Sequence, residues 1–451
     1  MRTGGIVTCA IALAVAGCAS GTEKQAAHHM PVPQAWSVPV PGEPAIAAEA
    51  TWWSAFGSAA LSSAIERARA GSFDLAAAAA RVRQAQAGAR IAGAALLPEL
   101  SAAAGAGRGG PFEGNAASEF SVGLSAAWEV DIWGRNRALR RAALASLEGA
   151  GYTRDAVDLL LSAETASTWM AVAAARERRE IAGRNLEAAT RILALVEARH
   201  RAGAANELEL AQQRGLVAGL EQRISAIERD ADSNRIALAV LGGEAPQAFE
   251  AETGALAALA LPPASAPLPS DVLLRRPDIA AAERALAAAN ADLSAARAAM
   301  LPRIVLNAGV GAESGRLSRL FDDPLYSLAA GLSAPIFSGG RLAGERDLAA
   351  ARREELLAAY RAAIVRAFGE VEQAFAAIAS LDRQRTAQAQ ALEQAGIAAR
   401  LAESRYRAGA DTLLTMLDAQ RTLYAAQEDA LTLHHARLEA AVELFRALGG
   451  G

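Results

Sequence analysis

The sequence predicts a mainly α-helical chain with a small β part, built from two internal repeats. Three observations predict it. The 16 prolines avoid residues 112–245 and 336–451 altogether. Both stretches are rich in Ala, Leu, Arg, Glu and Gln, the strongest helix formers. Short segments of period-two alternation stand before the long helical run of each repeat, and that is the period of a strand. Finally, unrelated motifs recur at one common spacing. Arg199-His200-Arg201-Ala202-Gly203-Ala204 returns as Arg405-Tyr406-Arg407-Ala408-Gly409-Ala410 at an offset of 206, Leu97-Pro98 as Leu301-Pro302 at 204, and Leu241-Gly242-Gly243 as Leu448-Gly449-Gly450 at 207. A shared offset across separate motifs marks a duplication.

The elements follow in chain order. Arg2, the apolar run Ile6–Val15 and the small residues before Cys18 read as a secretory signal over residues 1–17, too short to span a bilayer as a helix. Val15-Ala16-Gly17-Cys18 resembles a bacterial lipoprotein lipobox, which implies acylation of Cys18 and, with Ala19 following, sorting to the outer membrane. A plain secretory peptide cut nearby is the alternative. Residues 18–50 carry Pro31, Pro33, Pro39, Pro41 and Pro44 and read as an extended strap. Repeat 1 occupies residues 51–243, a Pro-rich connector 244–275, and repeat 2 residues 276–451.

Repeat 1 opens with a helix over about 57–96, then two strands. The long helix runs from about Gly134 to Arg199, and its 66 residues extend about 100 Å. The glycines at His200-Arg201-Ala202-Gly203 and Tyr406-Arg407-Ala408-Gly409 predict helix ends. Asn206 and Asp411 then read as N-caps of return helices, with Asn206 and Glu209 at capping-box spacing. Each rod therefore folds back as a hairpin. On the return helices Leu210, Val217, Ile224, Ala231 and Leu238 match Leu417, Tyr424, Leu431, Leu438 and Phe445 at the coiled-coil period.

The strand segments are Phe120–Val130, Ile304–Val310 and Tyr326–Ala334, with a weaker fourth over 98–107. Alternation over about ten residues is the mark of a transmembrane β-barrel, and equally of a half-buried soluble sheet. The lipobox favours the membrane. Four strands cannot close a barrel, and lipid forbids open edges. A membrane reading therefore requires an oligomer, and three copies supply twelve strands around a pore, with a helical tube of pseudo-sixfold symmetry.

Composition excludes several classes. The net charge of −4 lacks the basic footprint of a nucleic-acid binder. An apolar fraction of 52% is too high for a disordered chain. Cys9 and Cys18 are the only cysteines, so the mature body has no disulfide framework and no catalytic thiol. His28-His29 and His434-His435 lack accompanying ligands at zinc spacing, and neither a phosphate loop nor a nucleophile elbow is present. No enzymatic activity, metal or cofactor is expected.

Several ordered motifs then carry a family resemblance across essentially the whole mature chain. They are Trp52-Trp53-Ser54-Ala55-Phe56, Asp131-Ile132-Trp133-Gly134-Arg135, Leu273-Leu274-Arg275-Arg276-Pro277-Asp278-Ile279, Ala282-Glu283-Arg284 through Leu301-Pro302-Arg303, and Leu417-Asp418-Ala419-Gln420-Arg421 with Leu423-Tyr424. The chain resembles the TolC-like outer-membrane efflux factors, in their lipoprotein (NodT-type) branch. The resemblance implies a homotrimer with a twelve-strand β-barrel in outer-membrane lipid, continuous with a long periplasmic α-helical barrel. It implies a passive channel whose hairpin tips meet a periplasmic adaptor bound to an inner-membrane pump. Arg201, Ala202, Gly203, Arg407, Ala408 and Gly409 become adaptor-contact candidates. Leu414, Asp418 and Arg421 become an apolar ring, an acidic ring and its partner at a periplasmic constriction. As ordinary helix chemistry, Asp418 and Arg421 are a routine surface pair at i, i+3. The Asn206–Leu210 segment departs from the family pattern at the first tip. Protein export, or a lipid-anchored periplasmic coiled-coil scaffold, are the alternative functions.

Overall fold

A computed structural model describes residues 33–37, 51–263 and 268–450. Cys18, the signal segment and most of the strap lie outside the described residues. Among the described residues no helix is long and apolar enough to cross a membrane.

Repeat 1 begins with a short 3-10 turn at Trp52–Phe56, then α1 (Ala59–Gly71) and α2 (Phe73–Ala94). The single helix expected over 57–96 is thus broken. Ser72 takes extended backbone at ψ 124°, and its side chain caps α2 by accepting from Leu75 N. A capping hydroxyl substitutes for the missing intrahelical bonds, so a break needs no proline. Strands β1 (Glu99–Gly109) and β2 (Ala117–Val130) follow, then α3 (Arg135–Arg201) and α4 (Glu207–Leu241). Repeat 2 supplies α5 (Pro269–Arg275), α6 (Pro277–Ala298), β3 (Arg303–Ser314), β4 (Pro324–Ser333), α7 (Arg341–Arg407) and α8 (Leu413–Leu448). The connector therefore ends in a helix of its own, with Pro269 in its first turn, where a missing N–H costs nothing. The duplication is close: α3 and α7 both have 67 residues, and α4 and α8 have 35 and 36.

The four strands form one antiparallel sheet in the order β1-β2-β3-β4. The weakest strand expectation, 98–107, is a full strand of 11 residues. Register places Leu124 opposite Ala102 and Val310, and Val310 opposite Tyr326. The apolar sets read separately from three strands therefore share one face. All helices leave the sheet at the end holding Glu99, Val130, Arg303 and Ser333, while the loops 110–116 and 315–323 sit at the other end.

The main core lies midway along the helices. Trp52, Trp53, Phe56, Leu61 and Ile65 pack there against Trp169, Met170, Leu238, Leu438, Val442 and Phe445. Trp52 stacks on Phe445 at 5.3 Å between centroids, and Arg69 of α1 lies over Trp53. A second anchor is Arg276, 5% exposed, which donates to Asp278, to Glu370 at 2.8 Å and to the Ala447 carbonyl at 3.0 Å. It joins the start of α6 to α7 and to the end of α8. Of the strap, Trp36 packs on Phe368 and Phe375 of α7, and Ser37 N donates to Glu372.

Candidate channel sheet, hairpin tips and constriction

The sheet separates two chemistries by strand parity. One face carries Leu100, Phe120, Val122, Leu124, Trp128, Ile304, Leu306, Val310, Tyr326, Leu328 and Leu332. The other carries Ser101, Gly105, Ser121, Gly123, Ser125, Asn307, Gly309, Ser327 and Gly331. The apolar side chains lack cover within the chain: Leu328 is 78% and Tyr326 83% exposed. A face of this kind fits lipid, and the opposite face fits water. Aromatic residues flank the apolar band. At the helix end Trp128 donates to the Leu96 carbonyl at 3.1 Å and Trp133 to the Pro302 carbonyl at 2.7 Å. Tyr326 and Phe321 stand toward the loop end, so the band has the girdles of an interfacial strand sheet. Among the described residues the outer edges of β1 and β4 have no partner strand.

Asp131 explains one of the motifs that carry the family resemblance, Asp131-Ile132-Trp133-Gly134-Arg135. Its carboxylate accepts from the backbone N–H groups of Asn136 and Arg137 at 3.0 and 2.9 Å. It thereby satisfies donors that the first turn of α3 leaves unpaired. Gly134 turns the chain into that helix at φ 76°.

The two hairpin tips close identically. Ala204 N donates to Arg199 O and Gly203 N to His200 O; Ala410 N donates to Arg405 O and Gly409 N to Tyr406 O. This is the Schellman arrangement, which needs a left-handed residue; Gly203 and Gly409 have φ 73° and 72°. Arg201, Ala202, Gly203, Arg407, Ala408 and Gly409 are all exposed. The caps beyond the tips differ from each other. Asn206 caps α4 by accepting from Glu209 N at 2.9 Å, as expected. The cap of α8 is Thr412 rather than Asp411. Asp411 is occupied elsewhere, accepting from Thr412 N and pairing with Arg405.

Leu414, Asp418 and Arg421 are exposed at i, i+4 and i+7, so they form one stripe on α8. The other side of that helix is buried: Leu413, Met416 and Leu417 pack with Ile192, Val196, Leu210, Ala402 and Tyr406. Asp418 and Arg421 make no ion pair with each other among the described residues. The repeat-1 equivalent of Arg421 is Arg214, which pairs with Glu197 at 3.1 Å. Arg421 is exposed and forms no ion pair among the described residues. Sequence reading missed the ties between the hairpins. Arg199 lies over the Tyr406 ring at 4.9 Å, Tyr424 donates to the Asn185 carbonyl, Arg178 donates to Thr432, and Arg223 pairs with Glu428. Only helix packing reveals such pairs, because their partners lie some 200 residues apart. His434 and His435 face different partners, the Leu256 carbonyl and Glu439.

The outer membrane efflux protein family profile matches residues 64–244 and 268–450. The chain belongs to the outer membrane efflux protein family. Among curated relatives, the pyoverdine export outer membrane protein OpmQ of Pseudomonas aeruginosa is 45% identical over 412 residues, covering 89% of this chain and 87% of OpmQ. The cation efflux system protein CusC of Escherichia coli K12 is 33% identical over 451 residues, covering 98% of each chain. The solved open state of the Neisseria gonorrhoeae outer-membrane channel MtrE superposes with a TM-score of 0.86 at 30% identity, covering 94% of this chain and 96% of that one. As an outer membrane efflux protein, the chain holds its sheet in the outer membrane and extends its helices into the periplasm. The mainly α fold with a small membrane β part, expected from sequence, is the fold of these channels.

Proposed function

We propose that three copies assemble around one pore, joining the β1 edge of each to the β4 edge of the next to close a twelve-strand barrel. The observation that carries this is the four-stranded sheet itself, apolar on one face and unpaired at both edges. Lipid tolerates such edges only when they are closed. The helical hairpins then form a periplasmic tube. Their tips, at Arg201, Ala202, Gly203, Arg407, Ala408 and Gly409, dock on a periplasmic adaptor that links to an inner-membrane pump. Acylation of Cys18 adds a lipid anchor. Passage is passive and asks for no catalytic group.

The unpartnered stripe of α8 supports a constriction. Three copies of Leu414 form an apolar ring that gates by dewetting, and three copies of Asp418 an acidic ring that favours cations. Arg421, without an ion pair among the described residues, pairs across the ring. The cargo is small and amphiphilic; the relative OpmQ is named for export of pyoverdine.

Planar-bilayer recording tests the reading. The purified protein gives discrete, cation-biased conductance steps and a trimer mass in detergent, and Asp418→Ala raises conductance. A monomer mass together with silence from both proteins overturns the assembly. A trimer whose conductance ignores Asp418→Ala overturns the gate alone.

A further inference from the structure

Two features of the sheet serve neither the pore nor the hairpins. The first is a groove of about 440 Å³ on the apolar face, lined by Ala102, Ala104, Val122, Val310, Ala312 and Phe321. It exists because small side chains from three strands meet there, while Phe321 of the β3–β4 loop stands over them. The groove runs from the middle of the strands toward their loop end, where Phe321 and Pro324 line it, hence toward the outer leaflet.

The second feature is a basic row just beyond the groove. Arg108 lies opposite Ser118, and Phe120 lies opposite Ser314. Carried on by two residues, the same register sets Arg316 opposite Ser118. Arg316 keeps extended backbone, at φ −134° and ψ 128°, and its N–H donates to Ser314 Oγ. Arg108 and Arg316 therefore share the groove's face on either side of Ser118. Neighbouring strands are about 4.8 Å apart, so the two backbones are roughly 10 Å apart and long guanidinium side chains can converge over the serine. Neither arginine forms an ion pair among the described residues. Of the carboxylates at this height, Glu119 and Glu313 take the opposite strand parity, and Glu113 lies in the β1–β2 loop; none forms an ion pair with either arginine among the described residues. Asp322 and Asp323 lie in the loop and pair with neither arginine. Two uncompensated cations beside an apolar slot, at the level where the sheet leaves the bilayer, are complementary to an anionic headgroup above an acyl chain.

We propose that each subunit binds a phosphorylated, acylated lipid of the outer leaflet, with one chain under Phe321 and a phosphate held between Arg108 and Arg316. The site depends on the outward orientation of this face and not on the gate.

Protein purified from outer membranes in mild detergent retains phosphorylated lipid, read by native mass spectrometry. After delipidation it rebinds a diphosphorylated, multiply acylated glucosamine disaccharide. The Arg108→Gln, Arg316→Gln double variant rebinds this probe about tenfold more weakly. Phe321→Ala weakens rebinding as well, and inorganic phosphate at equal concentration does not compete. Unchanged rebinding in the double variant overturns the proposal, and so does displacement by inorganic phosphate alone. If the double variant loses its assembly mass, Phe321→Ala, on an exposed loop, decides instead. Conductance stays at the unsubstituted level throughout, so failure here is separate from failure of the channel reading.

Discussion

His435 shows how one buried side chain makes the stability of this protein depend on pH. Burial, with Arg178 from α3 and His434 beside it, pushes the imidazole down to about 4. Glu439, one turn along α8 at 3.4 Å, is itself pushed upward by burial and does not reverse this. Between pH 4 and the ordinary histidine value near 6.5, the folded chain holds fewer protons than the unfolded one. Stability is therefore complete above about 6.5 and falls as pH drops toward 4, by on the order of 3 kcal/mol per chain. Denaturant midpoints at pH 7 and pH 4.5 measure the loss. His435→Gln should flatten the difference, and an unaltered pH dependence in that variant counts against the account.

At the scale of elements, the break between α1 and α2 is held by a backbone contact. A Cβ on Gly71 would collide with the Gly242 carbonyl oxygen, and one on Gly243 with the Gly71 carbonyl. The end of the first helix and the end of α4 approach this closely only because both positions are glycine. Gly71→Ala should destabilise by about 1–3 kcal/mol, the usual range for overpacking, and thermal unfolding reads it. Gly88→Ala, with open space around its Cβ, is the control. The sequence reading of elements fails where partners are distant. Proline absence and glycine-marked tips placed both rods and both returns to within a few residues. The break at Ser72 escaped because a capping serine inside a helical composition looks like any other serine. Asp411 was read as a cap because its residue type fits. The actual cap, Thr412, is settled by Arg405, whose pairing draws the Asp411 carboxylate away. β1 read weakly because alanine and glycine give little contrast between faces. Its neighbour β2 supplies the pairing that fixes it. The stripe of Leu414, Asp418 and Arg421 was legible as a set. That Arg421 has no ion pair among the described residues was not, because the lack shows only beside the Arg214–Glu197 pair.

For the whole molecule, the parity of the sheet predicts an asymmetry between adjacent residues of one strand. Leu328 and Ser327 are neighbours on β4 but face lipid and water respectively. Leu328→Arg places a charge in the bilayer at a cost of about 2–4 kcal/mol, whereas Ser327→Arg places it in the pore. The first should reduce the amount of assembled protein recovered from outer membranes. The second should leave recovery intact and lower cation conductance. Equal recovery of both would mean that the apolar face does not meet lipid.

The equal length of α3 and α7 has one more consequence. Both rods leave the same end of one sheet, and both tips close with the same hydrogen bonds. In the proposed trimer, six tips then lie at one depth and form a level rim, nearly sixfold in shape. Asp418 has alanine, Ala211, as its repeat-1 counterpart, so the proposed constriction obeys only threefold symmetry. In that trimer the proposed docking partner meets a rim of near-equivalent notches, while the α8 stripe recurs only at every second hairpin. The proposed seal and the proposed valve share one duplicated unit, and a single diverged helix face separates them.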